Sequence, residues 1–135
     1  GYTSDITRTI AIGTIPKKLR RVYEVVRGAQ ELGVRKARAS MTGAELDAIC
    51  RNYITKRGFG KYFVHGTGHG VGMEVHELPM VSRSNEKPLP KNSVITCEPG
   101  IYIPGVGGVR IEDTLVLKKT GNENLSGKLS KIYGF

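Results

Sequence analysis

The chain has 135 residues, 39% of them hydrophobic, and a formal net charge of +9 from 21 basic and 12 acidic side chains. That length suits one domain with a real core, and no segment approaches the apolar length of a membrane span. The basic residues concentrate between Lys17 and Arg57, but no nucleic-acid reading motif accompanies them, so nucleic acid is not the expected main partner.

Residues 2–12 read as a strand, because Tyr2, Ile6, Thr7, Thr9, Ile10 and Ile12 favour a pleated, half-buried surface. The same stretch has neither a basic n-region nor an apolar h-region, so no signal peptide is expected in it. With no initiator Met, a processed piece or a fragment is expected. Gly13 and Pro16 mark a turn into a helix. From Lys17 to Leu32, Leu19, Val22, Val26 and Ala29 fall at helical spacing, with Lys17, Arg20, Arg21 and Arg27 largely on the solvated side. Gly28 weakens this helix and permits close packing; Gly33 is the expected stop.

Thr42-Gly43-Ala44-Glu45 has the form of a capping box. It opens a second helix with Leu46, Ile49, Cys50 and Tyr53 on one face, ending at Gly58. After Gly60 come short apolar runs: Tyr62-Phe63-Val64, Val94 to Cys97, Ile101-Tyr102-Ile103 and Val109 to Leu117. They lie too close together for intervening helices, which predicts an α+β fold with a largely antiparallel sheet. Residues 79–93 read as a surface loop, and 118–135 as a polar tail with a turn at Gly121-Asn122. Cys50 and Cys97 lack the paired spacing of a thiolate zinc site. They are expected as buried thiols of a reducing compartment, hence a cytoplasmic protein.

All three histidines lie in one stretch, His65-Gly66-Thr67-Gly68-His69-Gly70-Val71-Gly72-Met73-Glu74-Val75-His76. Core packing alone does not account for such clustering. With Asp5, Glu98 and Glu112 it forms a donor set suited to a hard-to-borderline divalent ion. An excess of carboxylate over histidine favours an open hydrolytic site over a closed structural one. A Glu98 flanked by Cys97 and Pro99 is costly to bury unless paired or coordinating. On a strand, Arg110 and Glu112 would face the same side and Ile111 the other. Glu74, Glu77 and Asp113 are expected to support the ligands or to face solvent.

Four segments, Ser4-Asp5-Ile6-Thr7-Arg8-Thr9, the His65–Glu77 stretch, Glu98-Pro99-Gly100-Ile101-Tyr102-Ile103 and Gly107-Gly108-Val109-Arg110-Ile111-Glu112-Asp113, together resemble the pita-bread metallopeptidases. The form of the third is similar to the Xaa-Pro aminopeptidase and Xaa-Pro dipeptidase (prolidase) branch, and the resemblance runs from Gly1 to about Leu125. It implies a pita-bread fold with helices on one face of the sheet. It implies two divalent metal ions (Mn, Co or Zn) held by Asp5, His69, Glu98 and Glu112. Glu98 would also shuttle protons, His65 and His76 would contact substrate and developing oxyanion, and Arg110 would brace the site. The substrate class implied is a proline-containing peptide, and relatives imply a homodimer with no membrane partner. The family's fifth ligand, a second Asp, belongs farther upstream of Asp5 than the four residues present. Residues 1–135 are therefore expected to be a partial catalytic domain, its C-terminal half, lacking that Asp and any upstream domain. The other reading is a non-catalytic pita-bread module that binds peptide, histone or nucleic acid.

Overall fold

The computed structural model describes residues 1–129. Two helices, α1 (Lys17–Lys36) and α2 (Gly43–Thr55), precede seven short strands: β1 (Gly68–Gly70), β2 (Glu77–Val81), β3 (Val94–Cys97), β4 (Gly100–Ile103), β5 (Gly107–Arg110), β6 (Asp113–Leu117) and β7 (Asn122–Asn124). The main sheet has the order β2-β1-β3-β6-β7 and every pairing in it is antiparallel. β4 and β5 form a separate hairpin. This is the α+β arrangement that the alternation of short apolar runs and turns predicts.

Both helices start and pack for legible reasons. Thr42 accepts from the Glu45 amide while the Glu45 carboxylate accepts from the Thr42 amide, so the capping box is present. α1 buries Val22, Val26 and Ala29, and α2 buries Leu46, Cys50 and Ile54. These meet Ile95 and Cys97 of β3 and Leu115 and Leu117 of β6 in one core. A Cβ at Gly28 would lie 2.2 Å from the Tyr53 hydroxyl, so this glycine lets α1 and α2 approach.

Six expectations need correction. α1 does not stop at Gly33 but runs on to Lys36. Gly33 sits over the sulfurs of Cys50 and Cys97, where a Cβ would collide, so the glycine serves packing rather than termination. Residues 2–12 form no strand; Thr7 makes a single bridge with Glu112, and Tyr2 and Ile12 stand 88% and 87% exposed. Tyr62-Phe63-Val64 is not a strand either: the Tyr62 and Phe63 amides are bonded within a short 3-10 turn over Gly60–Tyr62, and Phe63 O accepts from Arg51 of α2. The run from Val109 to Leu117 breaks at Ile111-Glu112 into β5 and β6. The loop expected over 79–93 surrenders its first residues to edge strand β2, where a proline is tolerated, and it buries Leu89 in the core. The polar tail contains β7, held by Leu115↔Asn124 and Leu117↔Asn122 pairing, and Gly121 takes the left-handed turn conformation. The end of the expected tail, 130–135, lies outside the described residues.

Strand alternation then divides the sheet. Ile95, Cys97, Asp113, Leu115 and Leu117 point to the helices, while Thr96 and Thr114 point to the opposite face. The N-terminal segment crosses that opposite face: the Thr3 amide donates to Gly72 O at 2.8 Å, and Thr114 Oγ1 donates to Asp5 O at 2.5 Å.

Candidate metal centre

The histidine stretch turns into β1 at a very close approach. A Cβ on Gly68 would lie 2.0 Å from the Thr96 carbonyl oxygen, and one on Gly70 would lie 2.3 Å from that of Leu78. Only glycine lets β1 sit between β2 and β3 here. That placement buries His69 and aims its ring at the face crossed by residues 3–8.

His69 Nδ1 lies 3.0 Å from Gly70 O. A carbonyl only accepts, so Nδ1 carries the proton and, in the neutral ring, Nε2 presents a lone pair. Nε2 faces Glu98 Oε1 at 3.0 Å and Asp5 Oδ2 at 3.6 Å. Asp5, His69 and Glu112 each bring one donor atom within 4.8 Å of the others. Glu98 stands beside this group, with Oε1 accepting from Thr96 Oγ1 at 2.9 Å and Oε2 lying 3.9 Å from Arg110 Nε. Thr7 Oγ1 donates to Glu112 Oε2 at 2.5 Å.

The four residues singled out as ligands thus converge from four separate segments. Their acceptors outnumber the donors that reach them, which are two threonine hydroxyls and one guanidinium. Burial, first of all, and then the nearby charges of Glu98 and Asp5 push the Glu112 carboxyl up to about 7, against the Thr7 hydrogen bond and Arg110, which pull it down. A divalent cation among one imidazole nitrogen and three carboxylates would relieve that repulsion, so the residues fit a metal of the hard-to-borderline class.

The remaining predicted residues wall a cleft of about 230 Å³ lined by His65, His69, His76, Met80, Glu98 and Arg110. Asp5 lines a separate, largely apolar cavity of about 400 Å³ behind it, with Val71, Val94 and Leu125. His76 is exposed, its ring tilted over that of His69 with centroids 4.1 Å apart. His65 is half-buried and already occupied at both nitrogens: Nδ1 bonds Gly66 O at 2.7 Å and Nε2 bonds the Tyr102 hydroxyl at 2.8 Å. Tyr102 in turn hydrogen-bonds Arg110. Burial works against the Arg110 charge, but Tyr102, Glu98 and Glu112 outweigh it and hold the guanidinium protonated. Arg110 and Glu112 do face the same side, since Arg110 Nε and Glu112 Oε2 share Thr7 Oγ1.

Sequence reasoning passed over three groups. Tyr102 reads as a core tyrosine. Arg8 fastens the N-terminal segment: its guanidinium donates to Glu112 O and, at 2.7 Å, to Asp113 Oδ1. Asp113 is fully buried, and also accepts from Gln30, Asn124 and Ser126. It does not face solvent; through Arg8 it supports the backbone of Glu112, and through Gln30 it ties β6 to α1. The third group, Asp47 and Arg51 on α2, bonds the backbone of the histidine loop. The signal for Arg8 and Asp113 lay in their places inside the motifs; an i,i+4 pair on a helix carries no such signal.

Comparison with known proteins agrees with this geometry. Residues 1–119 match the model of metallopeptidase family M24. The chain is 52% identical over 125 residues to an Xaa-Pro dipeptidase of Pyrococcus horikoshii, an alignment covering 93% of this chain and 36% of that protein. The solved Xaa-Pro dipeptidase from Bacillus anthracis superposes with a TM-score of 0.95 at 48% identity, over 98% of this chain and 37% of that one. The X-Pro aminopeptidase from Thermotoga maritima gives a TM-score of 0.93 at 44% identity, again over 98% of this chain and 37% of the other. The chain therefore spans little more than a third of the length of the relatives it matches, and it shares its fold with theirs.

Proposed function

We propose that this chain, which belongs to metallopeptidase family M24, carries most of the catalytic centre of a metal-dependent exopeptidase. The parent protein would cut the bond between an N-terminal residue and proline, as an Xaa-Pro aminopeptidase or an Xaa-Pro dipeptidase. The supporting observation is the convergence of Asp5, His69, Glu98 and Glu112, with acceptors in excess, beside a cleft that His69 and Glu98 line. The relatives' names supply the proline specificity.

Asp5, His69, Glu98 and Glu112 would hold two divalent ions of the Mn, Co or Zn kind. A further carboxylate ligand, an aspartate, would come from the rest of the parent protein. Bound there, such ions supply Lewis acidity at the scissile carbonyl and lower the pKa of a water nucleophile. Glu98 accepts the proton given up by the attacking water and delivers it to the proline nitrogen. That nitrogen has no proton of its own before cleavage and leaves as a secondary amine. His76 donates to the carbonyl oxygen as negative charge develops on it. His65, fixed by Tyr102, contacts the substrate from the cleft wall. Arg110 keeps Glu98 oriented. The same convergence of acceptors argues against a non-catalytic binding module, which has no use for it.

The test uses the full-length protein, stripped with chelator and then given Mn²⁺ or Co²⁺, with cleavage of Ala-Pro, Ala-Pro-Ala and Ala-Ala followed by chromatography. Metal-restored cleavage of the proline peptides alone is expected, and the preferred length separates dipeptidase from aminopeptidase. His69→Ala should abolish that activity. Bound metal with no cleavage of any of the three would overturn the proposal.

A further inference from the structure

The loop that carries His65 has no strand partner, yet it presents its histidine at a defined place. Its support comes from one ion pair on α2. Asp47 is 1% exposed and pairs with Arg51 one turn later, Nε to Oδ2 at 2.7 Å and Nη2 to Oδ1 at 2.9 Å. The fork then reaches across to the loop: Arg51 Nη1 donates to Phe63 O at 2.8 Å, and Nη2 donates to His65 O at 2.7 Å. Asp47 Oδ1 also accepts from both the amide and the hydroxyl of Thr67, at 2.9 and 3.0 Å. Residues 63, 65 and 67 are therefore pinned at alternate positions by a single side-chain pair.

Two links carry this support into the cleft. The Arg51 guanidinium lies 4.0 Å from the centroid of the Phe63 ring, and Phe63 meets the His65 ring edge-on at 5.2 Å. Beyond that, Thr67 O accepts the Glu98 amide at 2.7 Å. Asp47 thus reaches Glu98 through one residue, Thr67, and Arg51 reaches His65 through both its carbonyl and its ring neighbour. The other three proposed ligands, Asp5, His69 and Glu112, receive no hydrogen bond from this pair; the His69 amide is held by Thr96 instead.

We infer that Asp47 and Arg51 act as one positioning unit for His65 and Glu98, setting the geometry of proton transfer and substrate contact. The inference rests on the peptidase reading above. A bidentate guanidinium bonding two carbonyls and one carboxylate cannot be replaced by a lysine, which offers a compact point charge instead of a fork. Asparagine at 47 keeps the shape but removes the charge that orients the guanidinium.

The variants Arg51→Lys and Asp47→Asn are made in the full-length protein and loaded with Mn²⁺. Each is expected to lower kcat on Ala-Pro-Ala by about tenfold or more, the usual cost of releasing a group that orients a site residue. KM should rise as well, because His65 contacts the substrate, while the Mn²⁺ dissociation constant should rise far less than kcat falls, because Asp5, His69 and Glu112 keep their own supports. The double variant should lose little beyond either single one, since the pair acts as a unit. Hydrogen exchange supplies a readout independent of turnover. The segments containing the Thr67 and Glu98 amides should exchange about tenfold faster in the variants, while the β3–β6 ladder should not change. Unchanged kcat and unchanged exchange in an active enzyme would overturn the inference alone. So would losses of kcat, Mn²⁺ affinity and folded fraction in step, which mark a merely structural pair. A wild-type protein that binds Mn²⁺ and cleaves none of the peptides would overturn the peptidase reading and, with it, the catalytic role of the pair.

Discussion

Two segments deliver residues to the same candidate metal centre and its surroundings and are held in opposite ways. Residues 1–12 bring Asp5 across an open sheet face. They make one bridge, a handful of threonine bonds and the Arg8 contacts, and they leave Tyr2, Ile10 and Ile12 in solvent. Residues 63–70 bring His65 and His69 into a layer closed on both sides, with α2 side chains behind and β2 and β3 alongside. A site residue's precision comes from what its backbone is bonded to, and not from the strand-like or loop-like character of its own sequence. Asp5 depends on few contacts, with the Arg8–Asp113 pair as the buried fastener of its segment. The histidines depend on many short contacts, several of which require glycine.

The largest expected effect tests that fastener. Asp113→Ala leaves Arg8 without its buried carboxylate and strands the donors of Gln30, Asn124 and Ser126. Removing one partner of such a buried pair costs about 3–5 kcal/mol, measurable by urea unfolding. Residues 1–12 should also lose hydrogen-exchange protection before residues 67–70 do; equal loss in both would erase the contrast between the two segments.

Metal affinity should depend on pH through Glu112, the point where the N-terminal segment meets β6. Without a cation its carboxyl is raised from 4.5 to about 7, chiefly by burial. The fold therefore keeps a proton that the unfolded chain has already released. The resulting stabilisation of the metal-free chain is fully present below pH 4.5 and is lost as the pH rises through about 7. A cation demands the charged form, so Mn²⁺ affinity should fall by about tenfold per pH unit below that point. Titration of the full-length protein with Mn²⁺ at several pH values checks this, and a flat profile would separate Glu112 from the metal.

Gly68→Ala probes the other segment. Its new methyl would meet the Thr96 carbonyl at 2.0 Å, forcing β1 from β3 at about 1–3 kcal/mol. Thermal melting should register that loss, and the His69 region should gain exchange while residues 1–12 change less. The smallest effect lies away from both segments. Thr42→Ala removes the α2 cap at about 1 kcal/mol and should leave Mn²⁺ affinity unchanged; a large change in affinity would mean that the start of α2, and not its Asp47–Arg51 turn, supports the loop.

Much of this was legible before folding because it is local. The capping box, the apolar stripes of both helices and the close packing at Gly28 follow from spacing alone. Asp5, His69, Glu98 and Glu112 stood out as metal-binding residue types and were told from their neighbours Glu74, Glu77 and Asp113 by their places in the four motifs that resemble the family. The strand expected over 2–12 failed because pairing is a nonlocal property, and strand-like side chains do not supply a neighbour. β7 escaped notice because Asn122-Glu123-Asn124 has no apolar alternation. Leu89 did so because one apolar residue between two prolines has no period. Gly33 looked like a stop because sequence does not show the two sulfurs beneath it.

The sequence by itself determined the helices, the sign and kind of the donor set, and the membership of the chain in a metal-dependent family. Those are matters of residue chemistry and short-range order. Tertiary structure alone decided that four donors from four segments meet, that both nitrogens of His65 are occupied, and that an ordinary i,i+4 pair on α2 holds the histidine loop. Each of these depends on which backbone groups find partners across the fold, and a buried group must find one wherever the chain happens to place it.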